Sequence, residues 1–204
     1  MKSSMQTADH PTKREQILDA AVKVFSTRGY RATLVDEIAQ EAGVAKGTLY
    51  LYFGSKEDMY LQAFRENVEK LHELTVERMQ QAASTWDKIK AFVAVRLEFG
   101  EKHREFLRLY VSEFAGSFTQ EGEWPKYLKG LLGREADLLR DLFRRGIEAR
   151  EVRAVPLDQL VSLLHYMVAG FMASRVTNIR ITDVDLNADL IVDVLRKGLG
   201  PPKK

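Results

Sequence analysis

Lys46, Thr48, Tyr50 and Tyr52 stand on one short stretch, KGTLYLYF, and together offer a cation, a hydroxyl and two phenols. Leu49 and Phe53 are four apart, the spacing that docks one side of a two-turn helix inward and leaves those polar groups facing elsewhere. A face rich in donors and poor in core-forming side chains is the face of a recognition helix. Such a helix enters the DNA major groove with its N-terminal residues nearest the bases. No competing chemistry is legible. The chain has no cysteine, which excludes disulfides, thiolate metal sites and a cysteine nucleophile. Its four histidines, His10, His72, His103 and His165, form no H-x-x-x-H pair. No nucleophile and no paired carboxylates stand in a recognisable arrangement. The chain reads as a non-enzyme with no metal and no cofactor.

Something must hold that stretch outward. Before it, Thr33 is the predicted N-cap of a short helix, with Asp36 three residues on in the capping-box position. Val35, Ile38 and Ala39 would bury one face of that helix. Gly43 falls where a helix end favours a left-handed residue without a Cβ, and Val44 packs the corner. Upstream, Ile17, Leu18, Ala21, Val24 and Phe25 give the spacing of a first helix ending near Gly29, with Tyr30 packed beside it. Downstream, Gly54 breaks the second short helix. Ser55 caps a long one from about Lys56 to Ala82, with Glu57 and Asp58 suiting its dipole. Its buried side is predicted to be Met59, Leu61, Phe64, Val68, Leu71 and Leu74.

The run GYRATLVDEIAQEAGVAKGTLYLYFGSKEDMYLQAF, preceded by ILDAAVKVFSTRGY, resembles the DNA-binding domain of the tetracycline-repressor (TetR) family of bacterial transcriptional regulators. The resemblance spans roughly Thr12 to Phe64. It implies a helix-turn-helix domain at 12–55 and a ligand-binding and dimerisation domain at 56–204, while residues 1–11, polar and interrupted by Pro11, are expected to be a disordered tail. Lys46, Thr48 and Tyr50 would contact bases and phosphates, Gly47 would let the backbone approach, and Thr33, Tyr52 and Lys56 would anchor phosphates. Ala45 stands where the family usually has a capping serine or threonine, a local cost of about 0.5–2 kcal/mol. Leu51 is also more apolar than usual, and would suit a thymine methyl. The implied function is that of a ligand-responsive repressor, a homodimer on a palindromic operator, with the long helix from Lys56 as its lever.

Composition bounds the rest. At 204 residues, with 45% hydrophobic and 29% charged residues, the chain can bury a substantial core in one large domain or two modest ones. Net charge is only +2, so DNA affinity would rest on a few placed phosphate contacts and on dimerisation. No apolar run approaches the length of a membrane span, and the N-terminus lacks a signal-like core. A cytoplasmic protein is expected. After Trp86 the pattern predicts helices at roughly 85–101, 103–119, 124–150, 156–179 and 183–198, about nine in an all-α chain, with breaks at Gly116, Gly122, Pro125 and Pro156.

Two features of that second half bear on ligands and partners. Trp86, Phe92, Phe99, Phe106, Tyr110 and Phe114 can line an apolar chamber or simply pack a core. Arg96 and Glu113 fall on apolar stripes, where a charge is costly unless it meets a ligand or a partner such as the other. His165 reads as a core histidine or a ligand donor. Arg104, Arg108 and Arg175 add positive charge nearby, suiting an apolar ligand with an anionic end such as an acyl chain or its thioester. A cationic lipophilic compound on Glu113 is the competitor. The last two helices, with Ala169, Gly170 and Ala173 as a small-residue patch, are broadly apolar and are the expected homodimer surface.

Overall fold

The computed structural model describes residues 11–116, 123–177 and 188–200, the side chains of 113–116 and 123–125 excepted. These residues form nine α-helices and no strand. The chain makes two compact units, one ending at Glu66 and the other starting at Asn67, so the division falls inside the fourth helix rather than at its start. The tail expected at 1–11 lies outside the described residues except for Pro11. So do the outer ends of the helices predicted to reach 119 and 179 and to begin at 183.

In the first unit, α1 (Lys13–Ala32) starts from Thr12. The Thr12 hydroxyl accepts from the Glu15 N–H at 3.2 Å, and the Glu15 carboxylate accepts from the Thr12 N–H at 2.6 Å. Two first-turn donors are thus satisfied reciprocally. Ile17, Leu18, Ala21, Val24 and Phe25 are all buried, as their spacing requires, and Gly29 bends the helix at φ 76°. Tyr30 packs on Phe25 and Tyr60, with ring centroids 6.0 and 5.0 Å away.

The start of α2 (Val35–Glu41) differs from expectation. Leu34, not Thr33, holds the cap position, and the Glu37 carboxylate, not Asp36, accepts its N–H at 3.0 Å. Thr33 is 1% exposed, and its hydroxyl donates to the Gly29 carbonyl at 2.8 Å. The bend in α1 presents a carbonyl that this hydroxyl satisfies, and that local bond outcompetes capping. At the other end Gly43 (φ 64°) donates to Gln40 O at 3.1 Å and Val44 to Ala39 O at 3.0 Å. This pair of bonds closes a Schellman turn that needs the left-handed residue.

α3 (Lys46–Tyr52) then rests on Leu49 and Phe53, both buried. α4 (Lys56–Gln80) is capped by Ser55, whose hydroxyl accepts from the Asp58 N–H at 3.0 Å. Hydrogen bonds from Gln62 (2.7 Å) and the Gly54 N–H (2.9 Å) hold the Asp58 carboxyl below its usual range. Met59, Phe64, Val68 and Leu71 are buried, while Leu61 is half-buried and Leu74 exposed.

The second unit is built around α5 (Thr85–Lys102), which packs against α6 (Arg104–Gly116), α7 (Glu123–Glu148), α8 (Leu157–Val176) and α9 (Ala188–Leu199). Ile89, Phe92, Val93 and Leu97 of α5 meet Leu139, Phe143, Leu164, Val168 and Ile191 in one core. Close packing extends to Gly146 on α7, where a Cβ would stand 2.6 Å from Thr85 Cγ2 and 3.0 Å from Val152 Cγ2. Gly146→Ala is therefore expected to lower stability by about 1–2 kcal/mol despite its better helix propensity, because overpacking outweighs that gain. The midpoint of a urea melt measures it.

Candidate functional site

Two places in the molecule bring functional groups together, one in each unit. In the first, α3 presents Lys46, Gly47, Tyr50, Leu51 and Tyr52 to solvent, with Thr48 half-buried. Leu51 is the most open of the large apolar residues among those described, 82% exposed. A Cβ on Gly47 would meet nothing within 4 Å, so backbone and solvent are in direct contact there. Ala45 starts the helix without a side-chain cap. The Thr48 N–H bonds back to Ala45 O at 2.9 Å, and no side chain caps the N–H groups before it.

The charges around this face are organised. Lys46 pairs with Asp36 of α2 at 3.1 Å, an exposed contact that places its ammonium across the α2–α3 turn. Arg28 binds Glu37 at 2.9 Å and Lys23 binds Glu41 at 2.5 Å, tying α1 to α2. Arg14 bonds Glu66 and Gln62 and lies over the Phe53 ring. The Lys56 ammonium donates to Thr33 O at 2.8 Å and Arg31 O at 3.5 Å and sits 4.6 Å from the Tyr30 ring centroid. Of its three donors, two serve the α1–α2 connection, so Lys56 first of all fixes where that turn lies. Thr33, expected to anchor a phosphate, offers neither hydroxyl nor surface for it.

In the second unit a cavity of about 500 Å³ lies between α6, α7 and α8. Its lining includes Tyr110 and Val111, Leu132, Ala136 and Leu139, and a face of α8 running from Val161 through Ser162, His165 and Tyr166 to Ala173. The volume is that of a small-ligand site, mostly apolar with a few convergent polar groups. Ala169, Gly170 and Ala173, the small-residue patch of α8, line this cavity and supply its space. Of the aromatic residues expected to line a chamber, only Tyr110 does so among those described. Trp86 is buried with its ring N–H donating to Glu151 O at 3.1 Å, and Phe92 is core. Phe99 and Phe106 form a buried edge-to-face pair, and the Phe106 ring is tilted against that of Tyr110, 5.8 Å away. Glu113 and Phe114 fall outside the described side chains. Arg104 and Arg108 are exposed, and Arg175 pairs with Glu101.

His165, on the cavity wall, ends a chain of charges. His165 Nδ1 lies 2.7 Å from Glu135 Oε1, and Glu135 Oε2 accepts from Arg96 at 2.9 Å. Arg96, 5% exposed, also donates to Phe92 O and to Thr75 Oγ1, each at 3.2 Å, and lies over the Phe92 ring. Arg96 is thus matched by Glu135, and the expected pairing with Glu113 lies outside the described side chains. Burial raises the Glu135 carboxyl, but the Arg96 charge and the His165 hydrogen bond outweigh it and hold its pKa at about 2. Burial, reinforced by the Glu135 charge, pushes the Tyr110 phenol well above its usual range, so it stays protonated.

Comparison with known proteins bears on both places. Residues 17–63 match the family described as bacterial regulatory proteins, tetR family. The fatty acid metabolism regulator protein of Bacillus subtilis is 30% identical over 166 residues, 81% of this chain and 82% of that one. The chain belongs to the TetR family of bacterial regulatory proteins. It is a DNA-binding transcriptional regulator, not an enzyme. The fold agrees with that of the Bacillus subtilis regulator FadR in complex with stearoyl-CoA, at TM-score 0.77 and 23% identity over 90% of this chain and 97% of the other. It agrees also with that of AibR in complex with isovaleryl coenzyme A and operator DNA, at TM-score 0.73 and 20% identity over 94% and 100% of the two chains.

Within this TetR-family chain, two acidic residues take roles not expected of them. Asp36 meets Lys46 across a turn, which no local spacing announces. Glu135 did carry a signal: it lies four residues from both Leu131 and Leu139 on the buried stripe of α7. Among the described residues no helix is long and apolar enough to cross a membrane, and no three His, Asp or Glu side chains gather as metal ligands.

Proposed function

We propose that this regulator is a cytoplasmic homodimeric repressor that reads a palindromic operator with α3 and is released by an acyl ligand, as the thioester, held in the α6–α7–α8 cavity. The observation that carries the DNA half is α3 itself: its apolar side is buried while Lys46, Tyr50 and Tyr52 are exposed. In this reading Lys46, Thr48 and Tyr50 meet bases and phosphates at the N-terminal part of the helix, and Leu51 suits a thymine methyl. Tyr52 adds a phosphate contact, the backbone at Ala45 and Gly47 approaches closely, and Lys56 acts through the turn that it holds.

Dimerisation is supported by apolar surface on the last two helices. Tyr166 is 71% and Val194 61% exposed, with Leu163 and Leu190 beside them on the same two helices. Exposed large side chains in such number are the mark of an interaction face, and an isologous two-fold pairing there would present two copies of α3. The acyl half rests on the cavity's apolar walls, on its few polar groups with His165 among them, and on what the relatives' names state: fatty acid metabolism for one, stearoyl-CoA and isovaleryl coenzyme A for two others. None of the described lining residues is acidic, which disfavours a cationic ligand. Binding shifts DNA affinity by the ligand's preference for one of two conformations; α4, a single helix shared by both units, is the segment that carries the change.

A mobility shift of the full chain on the DNA flanking its own gene, with and without palmitoyl-coenzyme A, tests both halves. A retarded band that palmitoyl-coenzyme A removes is expected. No specific band would reject operator binding, and a band indifferent to the thioester would reject the effector. In the same assay Asp36→Ala is expected to raise non-specific DNA affinity and steepen its salt dependence by about one counterion per subunit, because Lys46 no longer has a carboxylate competing with phosphate.

A further inference from the structure

The charge chain that ends at His165 has a construction that apolar filling does not explain. Arg96 comes from α5, Glu135 from α7 and His165 from α8, and the chain of contacts ends on Thr75 of α4, itself fully buried. Arg96 already compensates the Glu135 charge, so His165 is not needed to neutralise it. Both Glu135 oxygens are nonetheless committed, one to each partner. The imidazole is thereby fixed in orientation with Nδ1 toward Glu135. The opposite ring nitrogen, Nε2, has no hydrogen-bond partner among the described residues, while the ring lines the cavity. The other titratable groups around it are Tyr110 from α6 and Tyr166 on α8 itself.

An orienting second partner of this kind is how proteins select which histidine nitrogen meets a ligand. Where both ring nitrogens carry protons, Nδ1 donates to Glu135 and Nε2 donates into the cavity. The matching ligand group is a hydrogen-bond acceptor, neutral or anionic, attached to an apolar body.

We propose that His165, positioned by Glu135 and Arg96, is the ligand-anchoring residue of the cavity and takes the carbonyl or carboxylate oxygen of an acyl ligand at Nε2. This deepens the effector reading above and rests on it only for the acyl class. It places the acyl head group at the Arg96–Glu135–His165 end and the chain along Val111, Leu132 and Met172. Ser162 supplies a hydroxyl on the same face of α8, one turn before His165.

The test uses the full chain and three probes delivered from the same cyclodextrin carrier: palmitoyl-coenzyme A, palmitate and hexadecane. Affinity is read by calorimetry, and 15N-histidine spectra of the same samples follow His165. The wild type is expected to bind both acyl probes more tightly than hexadecane and to shift the His165 Nε2 signal. His165→Phe, which keeps a ring of similar size, should lose about tenfold to a hundredfold of acyl affinity while keeping its affinity for hexadecane. His165→Gln, which restores a donor, should recover part of it. Acyl affinity unchanged in His165→Phe overturns the proposal, as does a wild type that prefers neither acyl probe to hexadecane. Binding of palmitate without palmitoyl-coenzyme A upholds the anchor and rejects the thioester effector. Should His165→Phe melt well below the wild type, the His165→Gln affinities and the Nε2 shift decide.

Discussion

Replacing Lys46 and Tyr50 together with alanine is expected to reduce operator binding to the level of non-specific DNA. Each lost base or phosphate contact of this kind costs about 1–3 kcal/mol, and two-fold symmetry removes every contact twice. The window between specific and non-specific affinity is itself only about 4–10 kcal/mol, so two contacts per subunit suffice to close it. Both side chains are exposed, and neither supports the core, which belongs to Leu49 and Phe53. Stability should therefore stay within about 0.5 kcal/mol of the wild type. Fluorescence anisotropy with a labelled operator, alongside a thermal melt, separates the two effects. Full affinity in the double variant would move DNA reading away from α3.

Glu135→Gln is expected to be the most damaging single change in the second unit. It keeps the shape of the side chain but leaves the buried Arg96 guanidinium without its counter-charge, for which about 3–5 kcal/mol is the usual penalty. The pH dependence follows from the same residue. The Glu135 pKa is held at about 2 in the folded chain, against about 4.3 when unfolded. A depressed carboxylate contributes stability that is fully present above the unfolded value and is lost as pH falls towards the folded one. The contribution is about 3 kcal/mol, and it disappears between roughly pH 4 and pH 2. Urea melts across that window should show the wild type losing stability with acid, and Glu135→Gln, weaker throughout, losing correspondingly less. Replacing Arg96 and Glu135 together with Met and Leu should recover much of the loss, since an apolar pair of similar volume escapes desolvation. A Glu135→Gln protein as stable as the wild type would show that the charge chain is incidental.

What could be read without coordinates was local. The face of α1 follows from 3.6-residue spacing, the α2–α3 turn from the need for a positive φ at Gly43, and the start of α4 from the Ser55 hydroxyl. Each depends on residues a few positions apart. Thr33 shows the limit: its composition suits a cap, but a bend four residues earlier offered its hydroxyl a carbonyl, and Leu34 took the cap position. The cavity shows it more strongly. Large rings on α5 and α6 suggested a chamber, yet Phe92, Phe99 and Phe106 fill the core because bulk favours close packing. Space arises where α8 is small, at Ala169, Gly170 and Ala173. The Arg96–Glu135–His165 chain joins residues 39 and 30 positions apart, a separation that leaves no spacing signature. A charge on an apolar stripe was the visible trace of it at Arg96, and Glu135 carried the same trace.

Footprinting of the full chain on the DNA flanking its own gene tests the central claim, that a symmetric pair of α3 helices reads the operator, most directly. The account predicts two protected half-sites of inverted sequence, with centres an integral number of helical turns (about 10 base pairs each) apart, lost together in the Lys46→Ala, Tyr50→Ala protein. A single protected half-site, or retardation without protection of any defined sequence, would contradict it.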